Sequence, residues 1–399
     1  MPARDPIADL RRIAFLLERA HEATYRVRAF RGAASALDKL PPDELLTRAR
    51  AGTLTEVSGV GDVTARCVAE SLAGEEPVYL RRLASTAGTD LDEATAALRR
   101  ALRGDCHTHS DWSDGGSPIE EMVGAAIELG HEYMVLTDHS PRLTVARGLT
   151  ADRLRRQLDV VATLNEQLAT LAREGAMERP FRLLTGIEVD ILSDGSLDQD
   201  DDLLASLDVV VGSVHSELRA GGEPMTRRMV AALANPLLDI LGHCTGRLLP
   251  KSQQPGAAGA GVAAAATVDD GPPPAEPEPA PKPAKKAGGS RSRERGGGRG
   301  RPESQFDAEK VFATAARHGK AIEINSRPER LDPPKRLVRV ALEAGCHFSL
   351  DTDAHAPGQL DWLPFGCARA VACGVPPERI VNTWPIDELL AWTASHQAG

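Results

Sequence analysis

Six histidines stand where apolar runs end. His107 and His109 close Cys106-His107-Thr108-His109, and His139 follows Val135-Leu136-Thr137-Asp138. His215 follows Val211-Gly212-Ser213-Val214, His243 follows Ile240-Leu241-Gly242, and His355 follows Asp351-Thr352-Asp353-Ala354. Three carboxylates join them: Asp114, Glu188 at the end of Thr185-Gly186-Ile187-Glu188, and Asp353. A single histidine at a strand end is ordinarily a hydrogen-bonded structural residue. Six of them with three carboxylates need another account, because such groups repel one another or lose hydration at high cost unless a cation sits among them. An HxH pair puts two imidazoles on one strand face, since side chains two apart point the same way. Mixed imidazole and carboxylate ligation suits zinc, manganese or iron. Two such ions about 3.5–4 Å apart activate water at neutral pH and clamp the attacking and leaving oxygens of a phosphoryl transfer. Arg247, four residues after His243, and Arg330 are the candidate phosphate clamps.

The elements that must hold these groups are legible as a pattern. Seven short apolar runs, the sixth being Ala321-Ile322-Glu323-Ile324-Asn325, alternate with helical stretches such as 117–129, 151–173, 306–318 and 335–344. Strand–helix alternation implies a parallel sheet. Polar residues at the C-terminal ends of successive strands imply a β/α barrel with its site at that face. Between the fifth and sixth runs, residues 252–303 are rich in Ala, Gly, Pro, Lys and Arg. The first half is acidic (Asp269, Asp270, Glu276, Glu278), and residues 282–301 hold eight Lys+Arg against one Glu. So little apolar content predicts a disordered insert. Its deletion over 255–301 is expected to leave the barrel intact.

The chain has 399 residues and a net charge of -10, which argues against indiscriminate nucleic-acid or membrane binding by the whole surface. Residues 1–100 are neutral, with fifteen basic and fifteen acidic side chains, so the excess lies in the part that carries the candidate ligands. The six cysteines form no CxxC pair, which excludes a zinc ribbon and a disulfide framework. With no signal peptide and no long apolar run, a cytoplasmic location is the expectation.

The phrases GDCHTHSDWSDG, LTDHS, GIEVDIL, VGSVHS, ILGHCTGRLL, EINSRPERLD and DTDAH resemble the PHP (polymerase and histidinol phosphatase) domain, closest to the version in bacterial family-X DNA polymerases. The resemblance implies an α/β fold, a distorted (β/α)7 PHP barrel, over 103–399, interrupted by the insert. It implies nine ligands for up to three divalent metal ions, Mn2+ or Zn2+. Carried over motif by motif, these are His107, His109, Asp114, His139, Glu188, His215, His243, Asp353 and His355, with Glu188 bridging two ions. Glu188, Asp353 and Arg247 are then the expected catalytic residues. Cys244 stands where the family usually has proline, and packing is its expected role.

Upstream, Leu54-Thr55-Glu56-Val57-Ser58-Gly59-Val60-Gly61-Asp62 reads as a helix-hairpin-helix turn. Gly59 and Gly61 would let the backbone approach a phosphate, which the free amides of the next helix then face. Tyr25-Arg26-Val27-Arg28-Ala29-Phe30-Arg31 resembles the N-terminal domain of the same polymerases, and Arg26, Arg28 and Arg31 are candidate phosphate contacts. Residues 1–85 are therefore expected to form a small all-α DNA-binding domain, with 86–102 as linker. That linker is too short for the nucleotidyltransferase palm, so no polymerase activity is expected. Cys67 stands where the β-type enzyme's lyase lysine falls, which argues against a lyase. DNA is the expected partner and 3′→5′ exonuclease or 3′-end processing the expected activity. The alternatives are a small-molecule phosphatase of the histidinol-phosphatase type and a non-catalytic DNA-binding scaffold. Removal of 1–85 is expected to impair DNA cleavage but spare small phosphoesters.

Overall fold

The computed structural model describes residues 4–86, 91–255, 262–269 and 300–397. Six helices come first: α1 (Pro6–Arg19), α2 (Thr24–Leu37), α3 (Pro42–Ala51), α4 (Asp62–Leu72), α5 (Val78–Thr86) and α6 (Glu93–Ala101). Their boundaries follow from local chemistry. The Asp5 carboxylate accepts the amides of Ile7 and Ala8 at the start of α1, and α3 ends on Gly52 in the left-handed region. Leu10, Ile13, Ala14 and Leu17 recur at helical spacing along α1 and are fully buried.

Seven parallel strands follow in sequential order: β1 (Gly104–Thr108), β2 (Tyr133–Leu136), β3 (Arg182–Asp190), β4 (Val209–Ser213), β5 (Ile240–Leu241), β6 (Ala321–Asn325) and β7 (His347–Asp351). Between them run α7 (Ile119–Glu128), α8 (Ala151–Arg173), α9 (Asp201–Leu204), α10 (Gly222–Leu233), α11 (Ala263–Thr267), α12 (Ala308–Arg317) and α13 (Lys335–Glu343). After β7 come a 3-10 turn (Pro357–Trp362), α14 (Leu363–Ala372) and α15 (Ile386–Gln397). The barrel is nearly closed. Thr108 and Ala354 form a parallel bridge, and two buried carboxylates tie β1 to β7 beneath it. Asp105 accepts from the amides of His107 and Thr352, while Asp351 accepts from the amide of Cys106 and from Asn382. Burial and the charge of Asp351 push the Asp105 carboxyl well above the usual range. This is the expected (β/α)7 barrel with an all-α N-terminal module.

Two expectations change. The linker is not a bare tether: α6 packs Leu98 and Leu102 into the barrel's hydrophobic core. The insert is not wholly unstructured either. Ala265 on α11 is fully buried beside Leu249 and Leu331, and Arg301 pairs back onto Leu248 as a short antiparallel bridge. A run of alanines has one apolar face to bury, and the charge of Asp269 just beyond it finds buried partners. The rest of the insert, including Asp270, Glu276, Glu278 and most of its basic half, lies outside the described residues. No helix among the described residues is long and apolar enough to cross a membrane. All six cysteines are buried and free, Cys244 among them.

Candidate metal centre

The C-terminal ends of the strands bring all nine expected ligands to one cleft. Glu188 is its centre. The last turn of β3 points this carboxylate at imidazoles from four neighbouring strands: His139 Nδ1 at 2.7 Å, His243 Nε2 at 2.9 Å, His215 Nε2 at 3.3 Å, His107 Nε2 at 3.5 Å and His109 Nε2 at 3.6 Å. Asp353 lies 3.4 Å from His109 Nε2 and 4.0 Å from His107 Nε2. Asp114, on the rim, is 3.3 Å from His355 and 3.4 Å from His139. Donor atoms group into four overlapping sets, each within 4.8 Å: His109–Asp114–His139–His355, His107–His109–Asp353, His107–Glu188–His243 and His139–Glu188–His215.

The chemistry of these donors fits divalent cations. His107 Nε2, both ring nitrogens of His109, His139 Nδ1, His215 Nδ1, His243 Nδ1 and Glu188 Oε2 are buried without a hydrogen-bond partner. Buried polar atoms are almost always paired, and the orphans that face one another here, His107 Nε2, His109 Nε2, His139 Nδ1 and Glu188 Oε2, are what a cation satisfies. The electrostatics agree. Burial pushes the Glu188 carboxyl up, but His139, His215 and His107 outweigh it and hold the group well below the usual range. Asp353 is likewise held ionised against its burial, by Arg327, His109 and His107. Burial and then the charges of His355 and His139 drive His109 well below its usual value, leaving it neutral and able to ligate. As an expected result, the purified protein carries more than one equivalent of divalent metal. Stripping it with a chelator lowers the thermal midpoint, because the ions bind the folded state alone. Metal analysis with a melting curve checks both; a metal-free protein that melts unchanged on adding Zn2+ or Mn2+ contradicts the assignment.

Partners outside the predicted set orient the ligands. Glu323 on β6 lies 2.7 Å from His107 Nδ1 and accepts the backbone amide of His243. Asp190 accepts the amide of His215 and lies 3.5 Å from its Nδ1. Both were findable: Asp190 stands two residues from Glu188 on one strand face, and Glu323 is the one charged residue inside the sixth apolar run. Arg327 donates to the carbonyl of Asp353 and lies 2.9 Å from His355 Nδ1. A cavity of about 310 Å³ opens over the cluster, lined also by Leu143, Leu248, Glu329 and Arg330. A second groove of about 490 Å³ beside α10, around Arg227 and Lys310, is lined by none of the nine ligands.

Arg247, expected as a phosphate clamp, does not line the cavity. Its guanidinium turns away from the ligands to pair with Asp269 at 2.8 Å and donates to the carbonyls of Arg330 and Leu331. The residue is committed to holding the insert. Arg330, 3.2 Å from Asp353, does line the cavity. In the N-terminal module the arginine cluster is also partly committed. Arg31 pairs with Glu18 at 2.8 Å and with Glu121 of the barrel at 2.9 Å. Arg26 bonds Tyr79 at 2.5 Å and pairs with Glu22 at 2.6 Å. Arg28 is exposed. Gly59 has φ of +91°, as the tight turn requires. The amide of Gly61 is taken by the Thr64 hydroxyl, so the anion-facing amides of this turn begin one residue later.

The PHP domain model matches residues 105–251, and the helix-hairpin-helix domain model matches residues 1–76. A probable phosphatase of Thermoanaerobacter sp. (strain X514) is 30% identical over 290 residues, covering 70% of this chain and 89% of that protein. The chain belongs to the PHP family. Its members' chemistry agrees with the centre described above, a metal-dependent phosphoesterase site. The DNA polymerase/3'-5' exonuclease PolX of Bacillus subtilis (strain 168) is 31% identical over 291 residues, 73% of this chain. The PHP chain spans only 41% of that relative's length. Among solved structures, the histidinol phosphate phosphatase of Lactococcus lactis subsp. lactis Il1403 aligns with 68% of this chain and 92% of its own at 15% identity, with a TM-score of 0.38.

Proposed function

We propose that this protein hydrolyses phosphoester bonds at the 3′ ends of DNA, as an exonuclease or end-processing enzyme. One observation carries the reading: the helix-hairpin-helix module is docked on the ligand side of the barrel. The C-terminal end of α1 packs on Pro357–Trp362, the segment that follows Asp353 and His355, and His21 lies 3.5 Å from Glu329 on the cavity wall. A DNA backbone bound at Gly59, the start of α4 and Arg28 would be held by the same module that meets the cavity wall at His21. The relative from Bacillus subtilis, named for polymerase and 3'-5' exonuclease activity, supports the same substrate class.

Divalent ions at this site supply Lewis acidity to a phosphoryl oxygen and a nucleophile at neutral pH. The protein's own part is positional. Glu188 and Asp353 bring the negative charge that balances several cations. Glu323 and Asp190 fix the rings of His107 and His215. Arg330 offers a guanidinium to a phosphate in the cavity, and Leu143 and Leu248 form its apolar walls. The test is hydrolysis of 3′-labelled single-stranded, nicked and 3′-phosphate DNA against histidinol phosphate and a chromogenic phosphoester. Arg28→Ala is expected to raise KM for DNA by about 3- to 10-fold and to reduce the salt slope by about one, leaving the chromogenic rate unchanged.

A second reading has its own support. The cavity is small, and the Thermoanaerobacter relative, aligned over 89% of its length, is named a probable phosphatase. Preference for histidinol phosphate over every DNA end, with Arg28→Ala silent, selects that reading.

A further inference from the structure

The ligand loop after β7 is held from outside the barrel. Asp353 and His355 lead directly into Pro357–Trp362, and α1 clasps that segment at four points. The Gly358 amide donates to Glu18 at 2.8 Å, Trp362 Nε1 donates to the carbonyl of Arg19 at 2.9 Å, and Arg19 pairs with Asp361 at 2.9 Å. A side chain at Gly358 would place its Cβ 2.1 Å from the Phe15 carbonyl, so only glycine permits this approach. The fourth point is His21, in the turn after α1. It holds a left-handed backbone, with φ of +54°, rare for a residue with a side chain. Its ring stands edge-on against Trp362 at 5.6 Å, and Nε2 lies 3.5 Å from Glu329 Oε2.

Glu329 is the next link. Its Oε1 binds Arg327 Nε at 3.0 Å, while its Oε2 is buried with no hydrogen-bond partner, so the His21 ring is the polar neighbour on that side. Arg327 in turn donates to the Asp353 carbonyl at 2.9 Å, lies 2.9 Å from His355 Nδ1, and rests over Trp362 at 5.8 Å. The relay His21–Glu329–Arg327 therefore ends on two ligands. The His21 ring covers one oxygen of Glu329, whose other oxygen holds Arg327 Nε.

We propose that His21 is a positioning residue for the phosphoesterase reaction: the N-terminal module reaches the barrel's centre through Glu329 and Arg327 and fixes Asp353 and His355. This rests on the metal-dependent phosphoesterase reading but not on DNA as substrate. It also reverses the expectation that removing residues 1–85 spares small phosphoesters.

The test uses the full-length protein and a chromogenic phosphodiester. Wild-type turnover is the control, since its absence would count against the phosphoesterase reading itself. In His21→Ala, kcat is expected to fall about 3- to 10-fold with KM and melting temperature nearly unchanged, because ligand geometry loosens while the fold persists. His21→Asn, which keeps the left-handed backbone but is too short to reach Glu329, should show the same loss. His21→Gln, long enough to donate to Glu329, should recover to within about twofold. Glu329→Gln combined with His21→Ala should be no worse than Glu329→Gln alone, as members of one relay are not additive. Unchanged kcat in His21→Ala and His21→Asn overturns the proposal. So does a loss that is additive with Glu329→Gln, or one that accompanies a lowered melting temperature and is shared by His21→Gln.

Discussion

Replacing Glu188 with Gln is expected to lower kcat for any phosphoester by at least about 10³-fold, with the secondary structure retained. Five imidazole nitrogens lie within 3.6 Å of this one carboxylate. The amide is nearly isosteric, so the packing of β3 survives. What is lost is the one carboxylate charge that His107, His139, His215 and His243 all share, and cations held there against an amide dipole would be bound far less firmly. Asp114→Asn should cost only about 10-fold, because Asp114 sits on the exposed rim and meets two histidines. Circular dichroism, metal content and turnover on one preparation check both. Glu188→Gln with near-native turnover and a full metal complement would remove the central role given to this residue.

The second large effect lies outside the ligand set. Asp269→Ala is expected to destabilise the fold by up to about 3 kcal/mol, because a partly exposed carboxylate is stripped from two buried guanidiniums. Here one carboxylate serves two guanidiniums: Arg247 at 2.8 Å and Arg369 at 3.1 Å, whose side chains are 5% and 0% exposed. Burial, then the charge of Arg247, already drives Arg369 down to about 10, and Asp269 is what opposes this. Replacing residues 270–299 with a short Gly-Ser linker, in contrast, should leave the unfolding midpoint unchanged. Denaturant titrations of the two variants separate the cases. Equal stability would mean the arginines find water or another acceptor instead.

The ligand set was legible in the sequence because strand ends repeat a simple rule. Each apolar run closes on a side chain that has no business in a core, and the run itself fixes which end of the barrel it faces. The spans of α8 and α13 were legible for a related reason: their apolar spacing is uninterrupted. What failed was commitment. Arg247 and Arg31 look like free cations in a string of letters, since the carboxylates that claim them are 22 and 90 residues away. The insert failed for the reverse reason. Its composition averages to that of a disordered chain, and averaging hides one aspartate and a short helix whose Ala265 does pack. Glu329 and His21 were invisible because their meeting needs the fold of both modules.

Gly358 has a consequence for how such chains can be assembled. The two family matches meet at separate stretches of sequence, residues 1–76 and 105–251, as if one unit had simply been appended to another. The contact at Gly358 lies beyond both. Exchange of the first unit for that of a relative would therefore break a surface whose second half, residues 357–362, neither stretch contains. Any lineage that recombined these parts had to carry the last third of the barrel along with the helix it clasps, and residues 357–362 should change in step with α1 rather than with the strands.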